Sequence, residues 1–515
     1  MSLLEPPKRK SPLPWVAAAI AVLLFAATGA YLKYVVYRPF TPLESPAGLA
    51  LGRAVPAFLV EAQDKLHHDG SAEELKARAA SVLDKPARDA LGDDASDKLV
   101  TLLRTTVEID AAKTPPEELL NRFEKEGYLL EQSLGARGLP LFVDPTLIRF
   151  RRSMTPILYT YYVERENELS GPNKRFRSLF VRRLDDLNFR QAAVGYTSPS
   201  STAALVLLDD VERELIEFIL PAVAAKDDTL MIDLDSVDPD SPWQKDLRAR
   251  AAAIVKGAYS NVPGATAAQI EELGDLFFRR RKLVRAWMKA LDKQRYKLWI
   301  PRRFIPEADY ANELVGRIKL DELREWRAIH ERLMDKEMIA AFDAITWEQA
   351  RSVEQHEGQH QLDYERDKIV IPPPVVQMLG YRNADEALDD KYSIYVSNEV
   401  SAYLAELSRS PGTAAVVLMS LAQNAFDSDE WGGAYCIAAL VVLDGLGKEL
   451  GLPAEDPSRP AAIDRARLTK RFVAVTERPD ADIRAAARRA WESWFGAKLP
   501  DLHQEKTTGN LPWRH

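Results

Sequence analysis

The sequence predicts an α+β protein that is predominantly α-helical and begins with a transmembrane helix. Three observations carry this prediction. Apolar residues recur at helical spacing over most of the chain, the region near residues 140–210 is rich in β-branched and aromatic residues, and residues Ser11 to Leu32 carry no charge. A length of 515 residues is too great for one ordinary core and predicts about three folding units beside the membrane segment.

Composition excludes several classes of function. Acidic residues outnumber basic ones and the net charge is -8, so the chain lacks the basic surplus that nucleic-acid binding usually requires. Cys436 is the one cysteine in the sequence. An intrachain disulfide is therefore impossible, and zinc or iron-sulfur sites built from several cysteines are excluded. We expect Cys436 to pack in the core.

The uncharged stretch from Ser11 to Leu32 is long enough to cross a lipid bilayer as a helix. Basic residues at positions 8–10 precede it, which predicts that the short N-terminus lies in the cytoplasm and the bulk of the chain outside it. We expect a single-pass protein of a bacterial inner membrane that faces the periplasm or the cell exterior. The alternative is a cleaved signal peptide, because Ala26, Ala27 and Ala30 would suit a peptidase site.

The predicted elements fall into four regions, with borders placed at residues 1–37, 38–135, 136–310 and 311–515. Helices are expected near 53–67, 72–82, 95–106, 115–134, 210–225, 243–258, 266–292 and 318–343. Short strands between about 140 and 210 predict a small antiparallel sheet. Residues 412–424 and 433–450 are apolar but too short to span a membrane, and they predict buried core helices.

The chemistry is concentrated in His356-Glu357-Gly358-Gln359-His360, an H-E-x-x-H motif. On a helix, residues four apart share one face, so the two imidazoles can converge on one tetrahedral cation. Glu357 is rotated away from the ligands and can face a bound water. Thr346 with Gln349 three residues later matches a capping box, which predicts that the motif helix begins at Thr346.

A catalytic zinc ion needs a third protein ligand. After the breaker at residues 371–374, a second helix is expected with Ser397 or Asn398 as its cap, and it would place Glu399 and Glu406 on one face. Glu399 is the predicted third ligand, and Glu406 is expected to be solvated or ion-paired. The competing carboxylates are Asp363, Asp389, Asp390 and Glu406.

The two segments, from Thr346 to Arg409, resemble the gluzincin group of zinc metallopeptidases. This resemblance implies a zincin-like helical region with zinc as cofactor, His356, His360 and Glu399 as its ligands, and Glu357 as the general base. It departs from the E-x-x-x-D variant, because Tyr403 stands where that variant has an aspartate. Asp363 is then the candidate that would support a histidine.

The leading hypothesis is a membrane-anchored zinc metallopeptidase that hydrolyses extracytoplasmic proteins or peptides, with a lipid bilayer and a protein or peptide substrate as partners. An edge of the sheet could hold an extended peptide. The alternative is a non-catalytic helical envelope protein for binding or scaffolding, with a structural or vestigial metal site. Tyr392, Tyr395, Tyr403 and His330 are all candidates for stabilising an oxyanion, while His67, His68, His503 and His515 are expected to be exposed.

Overall fold

A computed structural model describes residues 45–508 apart from 69, 113, 151–152, 186–193, 198–202, 225–240, 261, 291–318, 367, 428–429 and 454–462. The predicted transmembrane segment lies outside the described residues. Within the part that is described, no helix is long and apolar enough to cross a membrane. The coarse fold class is confirmed, because the chain is mostly helical with one curled six-stranded sheet.

An N-terminal group of helices precedes the sheet. Its members are α1 (Pro46–Leu49), α2 (Val55–His67), α3 (Ala72–Ala79), α4 (Lys85–Leu91), α5 (Asp93–Ala111) and α6 (Glu117–Ala136), with a π-helical stretch (Ala50–Ala54) between the first two. The four helices predicted in this region are present. The sequence prediction missed α4, which is capped by the carboxylate of Asp84 accepting from the amide of Ala87. These helices share a core with Leu141, Val143, Leu158 and Tyr162 of the first two strands.

The sheet contains β1 (Leu141–Phe150), β2 (Ser153–Ser170), β3 (Arg175–Arg183), β4 (Gly195–Tyr196), β5 (Ala203–Leu207) and β6 (His503–Thr508). Its order is β1-β2-β3-β5-β4, and β6 pairs with β2. The prediction of an antiparallel sheet is wrong in one pair, because β3 and β5 are parallel. Strand β4 precedes β5 in the sequence, but β5 lies between β3 and β4 in the sheet. The short strand β4 is therefore the last strand in the order.

The remaining elements form the larger helical region. They are α7 (Leu208–Glu214) continued by Leu215–Ile219 and Leu220–Ala224, then α8 (Pro242–Tyr259), α9 (Ala267–Ala290), α10 (Leu320–Leu333), α11 (Lys336–Asp363), α12 (Pro373–Leu379), α13 (Ala384–Leu388), α14 (Lys391–Arg409), α15 (Ala414–Phe426), α16 (Ala434–Glu449), α17 (Arg465–Thr476) and α18 (Asp480–Phe495). The two predicted core helices are α15 and α16, and both are largely buried. Cys436 is buried, as expected.

Both helices of the motif region begin earlier than predicted. The helix that carries the histidines starts at Lys336 after Asp335, and Thr346 is buried inside it, with no described residue hydrogen-bonded to its hydroxyl. The apolar spacing of Phe342 and Ile345 continues without a helix-breaking residue into the motif. One helix therefore runs through Thr346, and the capping-box pattern there does not start a new one. The helix that carries Glu399 starts at Lys391 and is capped by Asp390, not by Ser397 or Asn398.

Candidate metal centre

Helices α11 and α14 pack against each other and bring three predicted ligands together. The Nε2 atoms of His356 and His360 are 3.2 Å apart. Oε2 of Glu399 lies 3.5 Å from Nε2 of His356, and Oε1 lies 3.7 Å from Nε2 of His360. All three side chains are buried, so the motif histidines and the predicted third ligand lie together inside the protein.

These distances fit a single divalent cation. Ligand bonds of about 2.0–2.1 Å in a tetrahedral zinc site place ligand atoms roughly 3.3 Å from one another. His356, His360 and Glu399 form the one group of this kind among the described residues, with ligand atoms within 4.8 Å of one another. Oε2 of Glu399 is buried and has no hydrogen-bond partner among these residues, so it retains an unused acceptor that faces the imidazoles.

Burial and neighbouring charge set the protonation of the two imidazoles. Burial is the main cause that lowers the pKa of His360 to about 4, which leaves its Nε2 lone pair available at neutral pH. Burial also acts to lower the pKa of His356, but the nearby carboxylates of Glu399 and Glu406 outweigh it and raise the pKa well above its usual range. A cation at this point would take the place of the proton that the carboxylates otherwise attract to His356.

Glu406 supports His356 as a buried ion-pair partner, so of the two expectations for it the ion pair is confirmed and the solvated position is wrong. It is buried, and its Oε2 accepts from Nδ1 of His356 at 3.1 Å. Its Oε1 accepts from the hydroxyl of Ser352 at 2.9 Å. A carboxylate on Nδ1 fixes the imidazole with Nε2 directed at the metal position and increases its basicity. The supporting acid therefore lies seven residues after Glu399, three residues beyond Tyr403.

The other carboxylates considered as third ligands have different structural roles. Asp363, predicted to support a histidine, instead accepts from Nε2 of Gln359 at 2.6 Å and pairs with Arg366. Asp390 accepts from the amide of Tyr392 as the cap of α14, and Asp389 is the C-cap residue of α13. None of these three belongs to the group that could hold a metal ion. The ring of Tyr403 meets His356 edge-on with the ring centres 4.5 Å apart.

Glu357 is buried beside the ligands but is not one of them. Burial is the main cause that raises its pKa to about 8, and the charges of Glu399 and Glu406 add to the effect. Its carboxylate lies against Gly195 of β4: a Cβ atom at Gly195 would be 2.5 Å from both Cγ and Oε1 of Glu357. Only glycine leaves room for the Glu357 side chain in this position. The sequence offered no signal for this contact, because 162 residues separate the two positions.

Buried polar contacts fix the motif helix on the sheet. Nδ2 of Asn167 in β2 donates to Oε1 of Glu354 at 2.7 Å, and Oδ1 of Asn167 accepts from the hydroxyl of Thr507 in β6 at 3.0 Å. A Cβ atom at Gly358 would be 2.6 Å from Cδ2 of Leu502, so the glycine of the motif permits close packing with the segment that leads into β6. The last strand thereby helps to orient the histidines.

A cavity of about 330 Å³ opens beside the three ligands. Of the four candidate oxyanion donors, Tyr395 and Tyr403 line it, while Tyr392 and His330 do not. The hydroxyl of Tyr392 donates to the carbonyl oxygen of Gly432, and His330 packs on Trp326. The sequence prediction missed Tyr435, whose hydroxyl accepts from that of Tyr395 at 2.9 Å. His67, His68 and His503 are exposed, as expected, and His515 lies outside the described residues.

No protein-family model, curated protein or solved structure matches this chain.

Proposed function

We propose that the chain is a membrane-anchored zinc metallopeptidase of the gluzincin type that hydrolyses peptide bonds of extracytoplasmic proteins or peptides. The observation that carries this proposal is the meeting of His356, His360 and Glu399 around one point, with the separate carboxylate of Glu357 beside them in the same cavity. A purely structural metal site is usually closed by four protein ligands, whereas three ligands leave the fourth position for water or substrate.

Each side chain has a role in this proposal. His356, His360 and Glu399 would hold the metal ion, and Glu406 would keep the first of these imidazoles oriented. A bound zinc ion supplies Lewis acidity, which polarises a carbonyl group and makes water more acidic. With a cation bound beside it, Glu357 would be ionised, and its carboxylate could accept a proton from the attacking water and deliver it to the leaving amine. The buried surroundings keep bulk water away from these proton transfers.

The position of β4 suits a peptide substrate. Gly195 and Tyr196 line the cavity and form the last strand on the path of the sheet. An extended peptide can bind along such a strand through its main chain, which would place a scissile amide beside Glu357. Nε2 of Gln361 on the motif helix donates to the hydroxyl of Thr197, so this strand and the proposed ligands are held in fixed relation.

The membrane and compartment assignments rest on the sequence. The apolar stretch from Ser11 to Leu32, preceded by basic residues, supports a single span with the catalytic region outside the cytoplasm. The proposed substrates are therefore proteins or peptides of that compartment.

The test uses the full chain in detergent. Wild-type protein should contain about one equivalent of zinc by elemental analysis and should hydrolyse a fluorogenic peptide library. Glu357→Gln should keep the metal and lose at least about 100-fold in hydrolysis, because the general base is removed while the ligands stay. The double variant His356→Ala with His360→Ala should lose both metal and activity.

Glu331→Gln is the matched control, because Glu331 is an exposed carboxylate on α10 outside the cavity. It should behave as wild type. Zinc content that is equally low in the wild type and in the double histidine variant would refute the proposal. Unchanged hydrolysis in Glu357→Gln with bound metal would remove Glu357 from the mechanism.

A further inference from the structure

The cavity extends well beyond the proposed metal ligands. It is also lined by Gln349, which precedes His356 by seven residues on α11, a distance of about 10 Å along a helix. Two further elements line the part of the cavity around Gln349: Glu214 and Phe218 at the end of α7 and its continuation, and Val417 and Ser420 on α15. The proposed catalytic mechanism uses none of these residues.

The walls between the ligands and Gln349 are apolar. Val353 lies between Gln349 and His356 on the same face of α11, and Phe218 and Val417 face it from the two other elements. The side chains around Gln349 are polar. The hydroxyl of Ser420 lies beside the carboxyl group of Glu214. This part of the cavity therefore offers an apolar passage that leads to polar groups.

The charge in this part of the cavity is negative. Arg213 pairs with Asp210 at 2.9 Å, so these two side chains compensate each other. Glu214 forms no ion pair within the described part of the chain, and burial raises the pKa of its carboxyl group to about 7. Five carboxyl groups and one guanidinium line the whole cavity, so its acidic side chains outnumber its basic ones.

We propose that the part of the cavity around Gln349 is a specificity pocket for a lysine or arginine side chain next to the scissile bond, with Glu214 as the residue that binds its charge. The inference rests on the proposed peptidase function and adds the substrate class to it. A basic side chain has the required form, because its long apolar stem can lie against Val353, Phe218 and Val417 while its cationic end reaches Glu214. Gln349, whose Oε1 accepts from the hydroxyl of Tyr259 at 3.1 Å, retains its amide donors to orient that carboxylate.

The experiment measures binding, so that it does not depend on turnover. The zinc-loaded full chain carrying Glu357→Gln is titrated calorimetrically with capped peptides that differ at one position, which holds lysine, norleucine or glutamate. Lysine should bind at least about tenfold more tightly than norleucine, which has a similar stem without the charge, and glutamate should bind most weakly.

Adding Glu214→Gln should abolish the preference for lysine over norleucine, whereas adding Glu331→Gln should leave it intact. Equal affinity for lysine and norleucine with Glu214 present would overturn the inference, as would a lysine preference that survives Glu214→Gln. Failure to bind any of the peptides would count against it equally.

The same peptides are then given to the enzyme with Glu357 intact, so that the two proposals can fail separately. Hydrolysis without preference for lysine would overturn the pocket and leave the peptidase standing. A lysine preference in binding that Glu214→Gln abolishes, with no hydrolysis of any peptide, would overturn the peptidase function alone.

Discussion

The N-terminal helices and the motif helix α11 differ in the kind of group that they bury. The fully buried polar residues of α5 and α6 carry small hydroxyl side chains: Ser96, Thr105, Thr106 and Ser133. Helix α11 buries two histidines and two glutamates along with several glutamines. Burial of ionisable groups is expensive unless each group has a partner. The N-terminal helices bear part of this cost at Asp110 and Glu126, whose pKa values burial raises. Helix α11 differs because it concentrates two buried histidines and two buried glutamates within one element.

The largest expected effect is a loss of folding stability when the same phenylalanine-to-alanine change is made in each of the two regions. Phe123 in α6 and Phe342 in α11 are both almost completely buried. Either change to alanine should lower the free energy of unfolding by about 3–5 kcal/mol. Only Phe342→Ala should also weaken zinc binding, because Phe342 lies on the helix that carries the histidines. The measurements are denaturant unfolding and zinc competition with a chelator. An equal loss of zinc affinity in Phe123→Ala would erase the contrast between the regions.

A smaller effect is expected where one buried group supports another. Glu406→Ala leaves Nδ1 of His356 without its acceptor, and we expect zinc affinity to fall about 10- to 100-fold with the metal still bound at saturation. Chelator competition measures the affinity, and Glu331→Ala on an exposed surface provides the control. An unchanged dissociation constant would show that Glu406 is not needed to orient His356.

An effect that depends on pH is expected at Asp144, a buried carboxyl group of β1 near α6. Burial raises its pKa to about 6, and the charge of Glu131 adds to this, while its hydrogen bond from Thr146 acts in the opposite direction. The folded chain therefore keeps a proton that the unfolded chain releases, so stability falls as the pH rises from about 4 to 6 and then levels off.

Asp144→Asn removes this dependence, because an amide carries no titrating proton. Above pH 6 the variant should be more stable than the wild type by about 3 kcal/mol, and near pH 4 the difference should vanish. Unfolding midpoints in urea at pH 4.5 and pH 8 test this. A wild type that gains stability across the same range would show that the carboxyl group is ionised inside the fold.

Local patterns in the sequence predicted a large part of the fold and of the candidate site. The four-residue spacing of His356 and His360, and the face that bears Glu399, depend only on helix geometry. Glu406 was predicted on the same face as Glu399. Its burial could not be predicted, because other elements cover α14 on several sides and the sequence does not show them. The predicted start of the motif helix was wrong because Thr346 can cap a helix only if the residues before it are not helical, and here they are.

Contacts between distant segments could not be predicted. Gly195 and Glu214 come from the sheet and the helix after it, and no local spacing connects them to residues 356–360. Strand β5 lies parallel to β3, and β4 occupies the position beyond it. This order depends on how the connecting segments run, which the strand sequences do not encode. Strand β6 has little apolar alternation of its own and is held by β2, so its sequence carries almost no strand signal.

The pairing of β6 with β2 has a consequence for biosynthesis. The hydrogen bond from Thr507 to Asn167 joins positions 340 residues apart, and Asn167 in turn holds Glu354. During translation the N-terminal helices can fold early, but the histidine-bearing helix gains its last neighbours only after residue 508 has been made. Under the proposed function, the metal-binding helix would therefore reach its final packing only at the end of synthesis.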